Sequence, residues 1–228
     1  MSYIMEVKEI SKKYGKKQVL DTVSINVSKG ECVGIVGANG CGKSTLLSIL
    51  SGSMKADKGR VLVNGIDTGK KSRIFDEVIG YVPQDNPLML KLTVLDNLKF
   101  WYCDSVRNLN DDLANGIISY FGLNEYIYTR ADKLSGGMKK RLSIVCALAR
   151  NPQILILDEP GAALDIVCKS DIKKYLKDYM GNGGTVIITS HEEGELSLCD
   201  RMYLLKEGRA AELENCLNGN ELMKLLQN

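Results

Sequence analysis

The stretch GANGCGKST, residues 37–45, decides the fold class of this chain. It follows the apolar run Cys32–Val36, a predicted short buried strand, and it precedes a predicted helix at residues 44–50 that closes at Gly52. Glycines have no Cβ atom, so such a loop wraps closely around an anion with its backbone amides pointing inward, and the helix that follows adds its own free amides. The order strand, loop and helix therefore predicts a phosphate-binding site.

The spacing of four residues makes this prediction more specific. Gly37, Gly42, Lys43 and Ser44 fit the pattern G-x-x-x-x-G-K-[ST]. In that pattern the lysine reaches the β- and γ-phosphates of a nucleotide, and the serine hydroxyl holds Mg²⁺. The plain alternative is a Gly-rich turn without a ligand. We take nucleotide binding as the working interpretation.

Length and composition limit the remaining possibilities. The 228 residues suffice for one α/β domain with a smaller inserted subdomain. The 30 basic and 28 acidic residues give a net charge of only +2, which disfavours a nucleic-acid partner. The seven cysteines are odd in number and form no CxxC pair, so we expect neither a disulfide framework nor a zinc site, and a reducing cytosol as the compartment. No apolar run approaches the length of a membrane span, and we expect the chain to be soluble by itself.

The N-terminal part has strand patterns around the phosphate loop. Residues 3–10 and 19–27 alternate between apolar and polar side chains, as half-buried strands do. The pair Asn64-Gly65 lies between two short apolar runs and predicts a tight hairpin. These signals predict an N-terminal antiparallel β subdomain.

The middle of the chain is helical in character, and the last part alternates. Residues 93 to about 126 begin with Thr93-x-x-Asp96, which resembles a helix capping box, and continue with the helically spaced stretch DDLANGIISYFGL. From residue 153 onward, apolar strands and helices alternate, as in a parallel sheet with crossover helices. The stretch ELMKLLQ near the end predicts a short amphipathic helix.

Two adjacent carboxylates end the apolar strand in ILILDEP. Because strand side chains alternate in direction, Asp158 and Glu159 should point to different places. One carboxylate can then hold the Mg²⁺ shell while the other orients and deprotonates a water molecule in line with the γ-phosphate. The alternative is that both residues merely cap the next helix.

Two polar side chains follow other strand ends. His191, the only histidine, comes after TVIITS, and Gln84 ends the stretch YVPQ. Open α/β sheets bind ligands at the carboxyl ends of their strands, so His191 is a candidate γ-phosphate contact, with a structural role as the alternative. The neutral amide of Gln84 could bind both Mg²⁺ and the attacking water.

The stretch LSGGMKKRL, residues 134–142, predicts a second anion-binding helix N-terminus. Ser135 is a good N-cap, Gly136 and Gly137 expose their amides, and a helix is predicted from Met138 to Ala149. One nucleotide already has its loop at residues 37–45, so the residues alone leave open what this second N-terminus binds.

Together and in this order, the motifs resemble the ATP-binding subunit of the ABC transporter family, and the resemblance covers nearly the whole chain. It implies a P-loop NTPase core with a parallel sheet, an N-terminal antiparallel β subdomain and an inserted helical subdomain at about residues 93–150, within a single domain of residues 1–228. In the family, two cassettes pack head to tail, and the signature loop of one closes on the γ-phosphate held by the other. The second anion site at Ser135–Gly137 then has its ligand.

The resemblance also implies a role for each motif. Asp158 corresponds to the Walker B aspartate, Glu159 to the catalytic base, Gln84 to the Q-loop glutamine and His191 to the switch histidine. Tyr14 falls where an aromatic ring stacks on adenine, with an exposed loop tyrosine as the alternative. The other implied nucleotide-binding residues belong to the Walker A loop, the signature and the D-loop: Gly37, Asn39, Gly40, Cys41, Gly42, Lys43, Ser44, Thr45, Ser135, Gly136, Gly137 and Asp165.

Two motifs depart from the common family pattern, and a third position is variable in it. Met138 replaces the usual glutamine and, with the following KKRL, looks like cassettes of drug, peptide, lipid and polysaccharide exporters. The D-loop reads GAALD, where a serine often stands at Ala162 or Ala163. Cys41 occupies a variable slot, either as a redox-sensitive thiol or as an incidental small residue.

The implied function is hydrolysis of ATP with Mg²⁺ at two composite sites of a dimer, formed with a second copy or a related cassette. The implied partner is an integral membrane subunit, at the cytoplasmic face of the membrane, with export favoured over import. A regulatory ATP-binding module with little turnover is an alternative. A cassette acting on ribosomes or DNA would usually carry two cassettes or long coiled-coil inserts, which this sequence lacks.

An apolar segment after Gln84 predicts the docking site for that partner. Leu88, Met89 and Leu90 lie in a predicted loop, where apolar side chains have less reason to be internal, and the family places a helix of the membrane subunit here. Phe100 and Trp101 are expected instead in the core of the helical subdomain.

Overall fold

The computed structural model describes residues 3–69 and 73–213 of the chain. The amphipathic helix predicted in ELMKLLQ and the cysteine at position 216 lie outside these residues. Within the described ranges, no helix is both long and apolar enough to cross a membrane.

The described residues form two sheets and several helices. In chain order, the strands are β1 (Tyr3–Tyr14), β2 (Lys17–Ser28), β3 (Cys32–Val36), β4 (Lys58–Val63), β5 (Ile66–Asp67), β6 (Ile79–Val82), β7 (Ile154–Asp158), β8 (Thr185–Thr189), β9 (Arg201–Lys206) and β10 (Arg209–Leu213). The α-helices are α1 (Lys43–Leu50), α2 (Arg73–Val78), α3 (Val94–Tyr102), α4 (Leu109–Ala114), α5 (Ile117–Tyr120), α6 (Gly136–Leu148), α7 (Ile166–Gly181) and α8 (Glu193–Leu196).

The N-terminal sheet is antiparallel, as predicted, with the strand order β2-β1-β4-β5. Its β4–β5 hairpin turns through Asn64 and Gly65, whose φ angles are 50° and 75°. Positive φ at both central positions is the geometry of a type I′ turn, which matches the right-handed twist of the strands. The Asn-Gly prediction is therefore confirmed.

The second sheet carries the edge at which the predicted site residues lie. Its order is β10-β9-β3-β8-β7-β6, and every neighbouring pair is parallel except β10 and β9. The carboxyl ends of β3, β6, β7 and β8 therefore meet at one edge. The segments that follow these strands contain residues 37–42, Gln84, Glu159 and His191.

This parallel sheet is buried on both faces. Along β7, Leu155 and Leu157 pack into a core with α6 and α7, whereas Ile154 and Ile156 pack into a second core with α1 and the antiparallel sheet. Alternate side chains of a strand point to opposite faces, so a strand covered on both sides must be apolar throughout. This explains the continuous apolar run of ILIL.

The helical segment is more broken than its sequence spacing indicates. The capping box at the start of α3 is confirmed, because Thr93 and Asp96 exchange both of its hydrogen bonds. The stretch DDLANGIISYFGL, however, is divided between α4 and α5 at Gly116, which has extended backbone angles. A Cβ atom at Gly116 would collide with the Asp112 side chain, so only glycine allows this close turn.

The apolar segment after Gln84 differs in part from its prediction. Phe100 was expected in the core, but 60% of it is exposed, because it lies on the outer face of α3. Trp101 is half-buried and packs against the core, as predicted. Leu88 also packs against this core rather than lying free, whereas Leu90 and Leu92 are exposed.

Candidate functional site

The loop between β3 and α1 is shaped by two of its glycines. Gly37 is buried, and a Cβ atom there would collide with the carbonyl oxygen of Leu205 and with Cys41 Sγ. Gly42 caps α1 with a φ of 112°, a conformation that L-residues rarely adopt. These two positions require glycine for steric reasons, which accounts for the spacing seen in the sequence.

Lys43 is held at this loop although it carries a charge. Only 5% of the residue is exposed, and its Nζ donates hydrogen bonds to the carbonyl oxygens of Gly37 at 2.8 Å and Ala38 at 3.3 Å. A buried ammonium needs such acceptors to offset the loss of its water shell. The geometry keeps the cation at the mouth of the loop, where an anion would meet it.

Asp158 and Glu159 point to different groups, as the strand alternation predicts. Asp158 is 2% exposed, and its Oδ1 accepts a hydrogen bond of 2.6 Å from the hydroxyl of Thr189. The Glu159 amide donates to both the carbonyl and the hydroxyl oxygen of Thr189, each at 3.1 Å. Glu159 itself has a φ of 47°, a strained backbone angle of the kind that clusters at functional sites.

The Glu159 carboxylate joins the other predicted catalytic residues. Gln84 Nε2 donates to Glu159 Oε2 at 3.2 Å, and His191 Nε2 lies 3.4 Å from Glu159 Oε1. His191 Nε2 also lies 3.2 Å from Lys43 Nζ. One ring nitrogen cannot accept from Lys43 and donate to Glu159 in the same tautomer, so the proton on the imidazole selects between the two contacts.

A cavity of about 410 Å³ opens beside these residues. Its lining combines the phosphate loop with residues from other predicted motifs: Tyr14, Val19, Asn39, Gly40, Gly42, Lys43, Ser44, Thr45, Gln84 and Glu159. Val19 was predicted only as part of a strand and not as a residue of the site. Its position shortly after the turn that follows Tyr14 is the feature of the sequence that places it beside Tyr14. Gly37, Asp158 and His191 do not line the cavity but lie next to residues that do. Gly37 contacts Lys43, and His191 contacts both Lys43 and Glu159. Asp158 is connected to Glu159 through Thr189.

Of two further predicted nucleotide-binding residues, Tyr14 lines this cavity and Cys41 does not. Tyr14 is 49% exposed, and its hydroxyl lies 3.1 Å from the sulfur of Met54. Cys41 is half-buried against the core. Burial raises the pKa of its thiol, and the nearby Lys43 only partly opposes this, so the thiol is protonated at neutral pH.

The residues that could hold Mg²⁺ offer oxygen donors, which this ion prefers. Ser44 presents an exposed hydroxyl at the N-terminus of α1 and lines the cavity. Asp158 contributes a carboxylate, and Gln84 an amide oxygen, at the neighbouring strand ends. This donor set fits a magnesium ion that is shared with a phosphate group.

The second predicted anion site lies elsewhere in the chain. Ser135 caps α6 by accepting a hydrogen bond of 3.2 Å from the Met138 amide, and α6 starts at Gly136, two residues before its predicted start. Asp165 caps α7, because its Oδ1 accepts from the Cys168 amide at 2.8 Å. Among the described residues, the cavity lining includes none of Ser135, Gly136, Gly137 and Asp165.

Helix α6 is nevertheless tied to the segment that carries Gln84. Lys140 is 4% exposed, and its Nζ donates to the carbonyl oxygens of Pro83 and Gln84, each at 3.2 Å. Burial lowers the pKa of this lysine. Ser143, one turn later, donates to Asn86 Oδ1 at 3.1 Å. Neither residue was predicted from the sequence, although for Lys140 a lysine among the apolar residues of a predicted helix indicates a buried polar contact.

Comparison with known proteins was consistent with this geometry. Residues 20–162 match the ABC transporter family. The linearmycin resistance ATP-binding protein of Bacillus subtilis is 36% identical over 208 residues, covering 90% of this chain and 67% of that protein. The Nod factor export ATP-binding protein I of Rhizobium etli is 35% identical over 210 residues, covering 90% of this chain and 66% of that protein. The chain thus spans about two thirds of the length of these two relatives.

Solved structures agree on the fold. An ATP-binding subunit of an ABC transporter superposes with a TM-score of 0.88 over 99% of this chain and all of that one, at 24% identity. A dimeric ATP-binding cassette in a post-hydrolysis state, bound to ADP and Pi, has a TM-score of 0.83 and 29% identity over 92% of this chain and 97% of that one. The chain therefore belongs to the ABC transporter family, as an ATP-binding domain with the P-loop NTPase fold that its motifs predict.

Proposed function

We propose that this chain binds ATP with Mg²⁺ in the cavity beside Lys43 and hydrolyses it. The observation that carries the proposal is the position of the Glu159 carboxylate, which contacts both Gln84 and His191 at the edge of the phosphate loop. Bound Mg²⁺, held by Ser44, Gln84 and Asp158, would neutralise charge on the transferred phosphate.

The roles of the side chains follow from their chemistry. Lys43 pairs with the β- and γ-phosphates, Glu159 orients a water molecule and takes its proton, and the water oxygen attacks the γ-phosphorus as ADP leaves. His191 contacts the γ-phosphate, and Gln84 places the water. Tyr14 stacks on the adenine ring, for which its exposed side chain is suited.

We further propose that two cassettes close head to tail around two ATP molecules. The helix N-terminus capped by Ser135 is absent from the described lining of the chain's own cavity, so a second chain would supply it to that site. The dimeric relative bound to ADP and Pi supports the association of two cassettes. The partner chain is a second copy or a related cassette.

The proposed partner of the dimer is an integral membrane subunit, with the cassettes at its cytoplasmic side and export as the direction, an importer being the alternative. Relatives named for Nod factor export and for linearmycin resistance support export, as does Met138 in the signature. Within the single domain of residues 1–228, we assign residues 93–150 to the helical subdomain. We define the docking patch as Met89, Leu90, Leu92 and Phe100, of which the last three are exposed.

Substitution of Glu159 by glutamine tests the proposed hydrolysis. Glu159→Gln removes the base but keeps the size of the side chain, so we expect ATP hydrolysis to slow by about 10²- to 10⁴-fold while ATP still binds. Dimers should then accumulate in the presence of ATP and Mg²⁺, as measured by size-exclusion chromatography. Hydrolysis at the parent rate would show that Glu159 is not the base.

A further inference from the structure

Helix α8 buries a carboxylate close to the proposed catalytic residues. Glu195 is 7% exposed, although glutamate is seldom buried without a partner. It lies four residues after His191 and has no role in the proposed hydrolysis described above. Burial raises the pKa of Glu195, and its hydrogen bonds only partly oppose this rise, so the fold retains an acidic group at a desolvation cost.

The Glu195 carboxylate joins two separate segments. On one side, the hydroxyl of Ser190 donates to Oε2 at 2.5 Å, and the same hydroxyl oxygen accepts from the Glu192 amide at 2.9 Å. On the other side, the Gly161 amide donates to the carboxylate. Ser190 immediately precedes His191, and Gly161 lies two residues after Glu159.

The close contact with the Glu195 carboxylate leaves no room for a side chain at position 161. A Cβ atom at Gly161 would collide with Glu195 Oε1. The turn that starts at Glu159 is tight, since the Ala162 amide donates to the Glu159 carbonyl oxygen at 3.2 Å and the Leu164 amide to the Gly161 carbonyl oxygen at 3.1 Å. The direction of the Glu159 side chain therefore depends on where Gly161 is anchored.

Other charged groups also face this carboxylate, and one of them is the buried Lys140, whose pKa the charge of Glu195 helps to raise against the effect of burial. Glu192 raises the pKa of Glu195 and Lys169 lowers it, and these two residues pair with each other at 2.7 Å. This ion pair lies nearer to the surface, because 32% of the Lys169 side chain and 37% of the Glu192 side chain are exposed. Within the described residues, the Glu195 carboxylate with Ser190 and Gly161 is thus a second buried link between the two segments, beside the hydrogen bonds from the Glu159 amide to Thr189.

We propose that Glu195 is a positioning residue, whose carboxylate ties Gly161 to Ser190 and so holds Glu159 and His191 in their 3.4 Å contact. The inference rests on the proposed hydrolysis for its kinetic consequence. Its structural consequence, a shared anchor for the two segments, stands apart from that function.

The kinetic test compares four variants of the full chain with ATP and Mg²⁺. Glu195→Ala removes the link, and Gly161→Ala disturbs it from the other side, so both should lower kcat by about 10- to 100-fold, with KM for ATP changed less than about twofold. Glu195→Gln keeps the size and an acceptor oxygen, and it should restore kcat to within about threefold of the parent. Leu196→Ala, a buried apolar change in the same helix, should lower Tm but leave kcat within about twofold.

A second readout does not need hydrolysis. Without nucleotide, amide hydrogen exchange at residues 160–165 and 190–193 should rise together in Glu195→Ala and Gly161→Ala, but not in Leu196→Ala. If Glu195→Ala does not fold, Ser190→Ala removes one oxygen of the same link and should show the same paired increase.

The outcomes separate this inference from the proposed function. Parent-like kcat and parent-like exchange in Glu195→Ala would overturn the inference, and so would an equal loss of kcat in Leu196→Ala. If the parent chain hydrolyses no ATP, the proposed function fails, and the exchange result alone decides whether Glu195 anchors both segments.

Discussion

Lys43 is a buried, charged residue whose ammonium group is expected to bind a phosphate. Its Nζ donates hydrogen bonds to the carbonyl oxygens of Gly37 and Ala38, which offset the free-energy cost of burying the charge. Those two oxygens compete with a phosphate for the same donor, and a charged phosphate oxygen is the stronger acceptor. The contacts with Gly37 and Ala38 therefore hold the cation in place without preventing it from turning to a nucleotide.

The substitution Lys43→Ala should weaken nucleotide binding itself. A hydrogen bond to a charged group contributes about 1.5–3 kcal/mol, so we expect the Kd for ATP to rise by about 10- to 100-fold. Isothermal titration calorimetry measures this change. Lys139→Ala is the matched control, because Lys139 donates to the Asp132 carbonyl oxygen outside the cavity and should leave the Kd unchanged. An unaltered Kd in Lys43→Ala would contradict the assignment of the whole site.

Single residues at strand ends could be predicted from the sequence, whereas their supports could not. Gln84, Glu159 and His191 each follow a predicted strand, and parallel strands bring their carboxyl ends together. Thr189 and Glu195 act through hydrogen bonds to residues about thirty positions away, and periodicity contains no information on such pairs. A buried threonine or glutamate is identified only when the tertiary contacts are known.

At the scale of elements, the buried Asp112 of α4 joins α3 through Tyr102 and pairs with Arg107 in the segment between the two helices. Asp112 accepts hydrogen bonds of 2.7 Å from both the Tyr102 hydroxyl and Arg107 Nε, and it also contacts Arg107 Nη2. Burial alone would raise the pKa of Asp112, but the hydrogen bonds from Arg107 and Tyr102 outweigh it and lower the pKa below 3.8. The ionised carboxylate is therefore the form that stabilises this pair of helices.

We expect Asp112→Asn to lower the free energy of unfolding by about 2 kcal/mol at pH 7, because hydrogen bonds to a charged group become neutral ones. Since the folded pKa is depressed, this contribution is present at higher pH and is lost as the pH falls through the folded value, below 3.8. Urea denaturation of parent and variant at several pH values should show their difference shrinking on acidification. Asp111→Asn, at an exposed site on the same helix, should change stability by less than about 0.5 kcal/mol.

Features determined by neighbouring residues in the sequence were predicted well, whereas features determined by tertiary packing were not. The Asn64-Gly65 turn and the Thr93 capping box depend on neighbouring residues only, and both have their expected geometry. The break at Gly116 depends on the nearby Asp112 side chain, whose place is fixed by Tyr102 and Arg107. Helical spacing alone cannot indicate such a break.

At the scale of the whole molecule, the docking patch is the surface where we expect the cassette to bind the proposed membrane subunit. Leu90→Glu places a charge on an exposed apolar position, and burying that charge in an interface without a partner is costly. We expect association with the membrane subunit to be lost while Tm and ATP affinity stay at parent values. Ile66→Glu, at a similarly exposed position in the antiparallel sheet, is the control and should still copurify with that subunit. Copurification of the Leu90→Glu variant with the membrane subunit would show that the docking patch is not the binding surface.

A head-to-tail dimer makes each nucleotide depend on two chains, and mixed dimers can reveal this dependence. Within one chain, Ser135 caps α6 away from the residues that line the described cavity, so Lys43 and Ser135 of the same chain would serve different nucleotides. A two-fold axis requires the exchange to be reciprocal. A dimer of a Lys43→Ala chain with a Ser135→Arg chain then has both lesions at one site and an intact second site.

Equal amounts of these two variants should therefore recover activity that neither shows alone. Random pairing makes half of the dimers mixed, each with one of two sites intact, so independent sites would give about a quarter of the parent ATPase rate. The matched control pairs Lys43→Ala with a chain that carries both substitutions, since no site then has an intact lysine. Mixed dimers shown by copurification of two tags, yet without recovered hydrolysis, would contradict the sharing of sites. Recovery in the first mixture alone would show that the signature of one chain completes the site of the other.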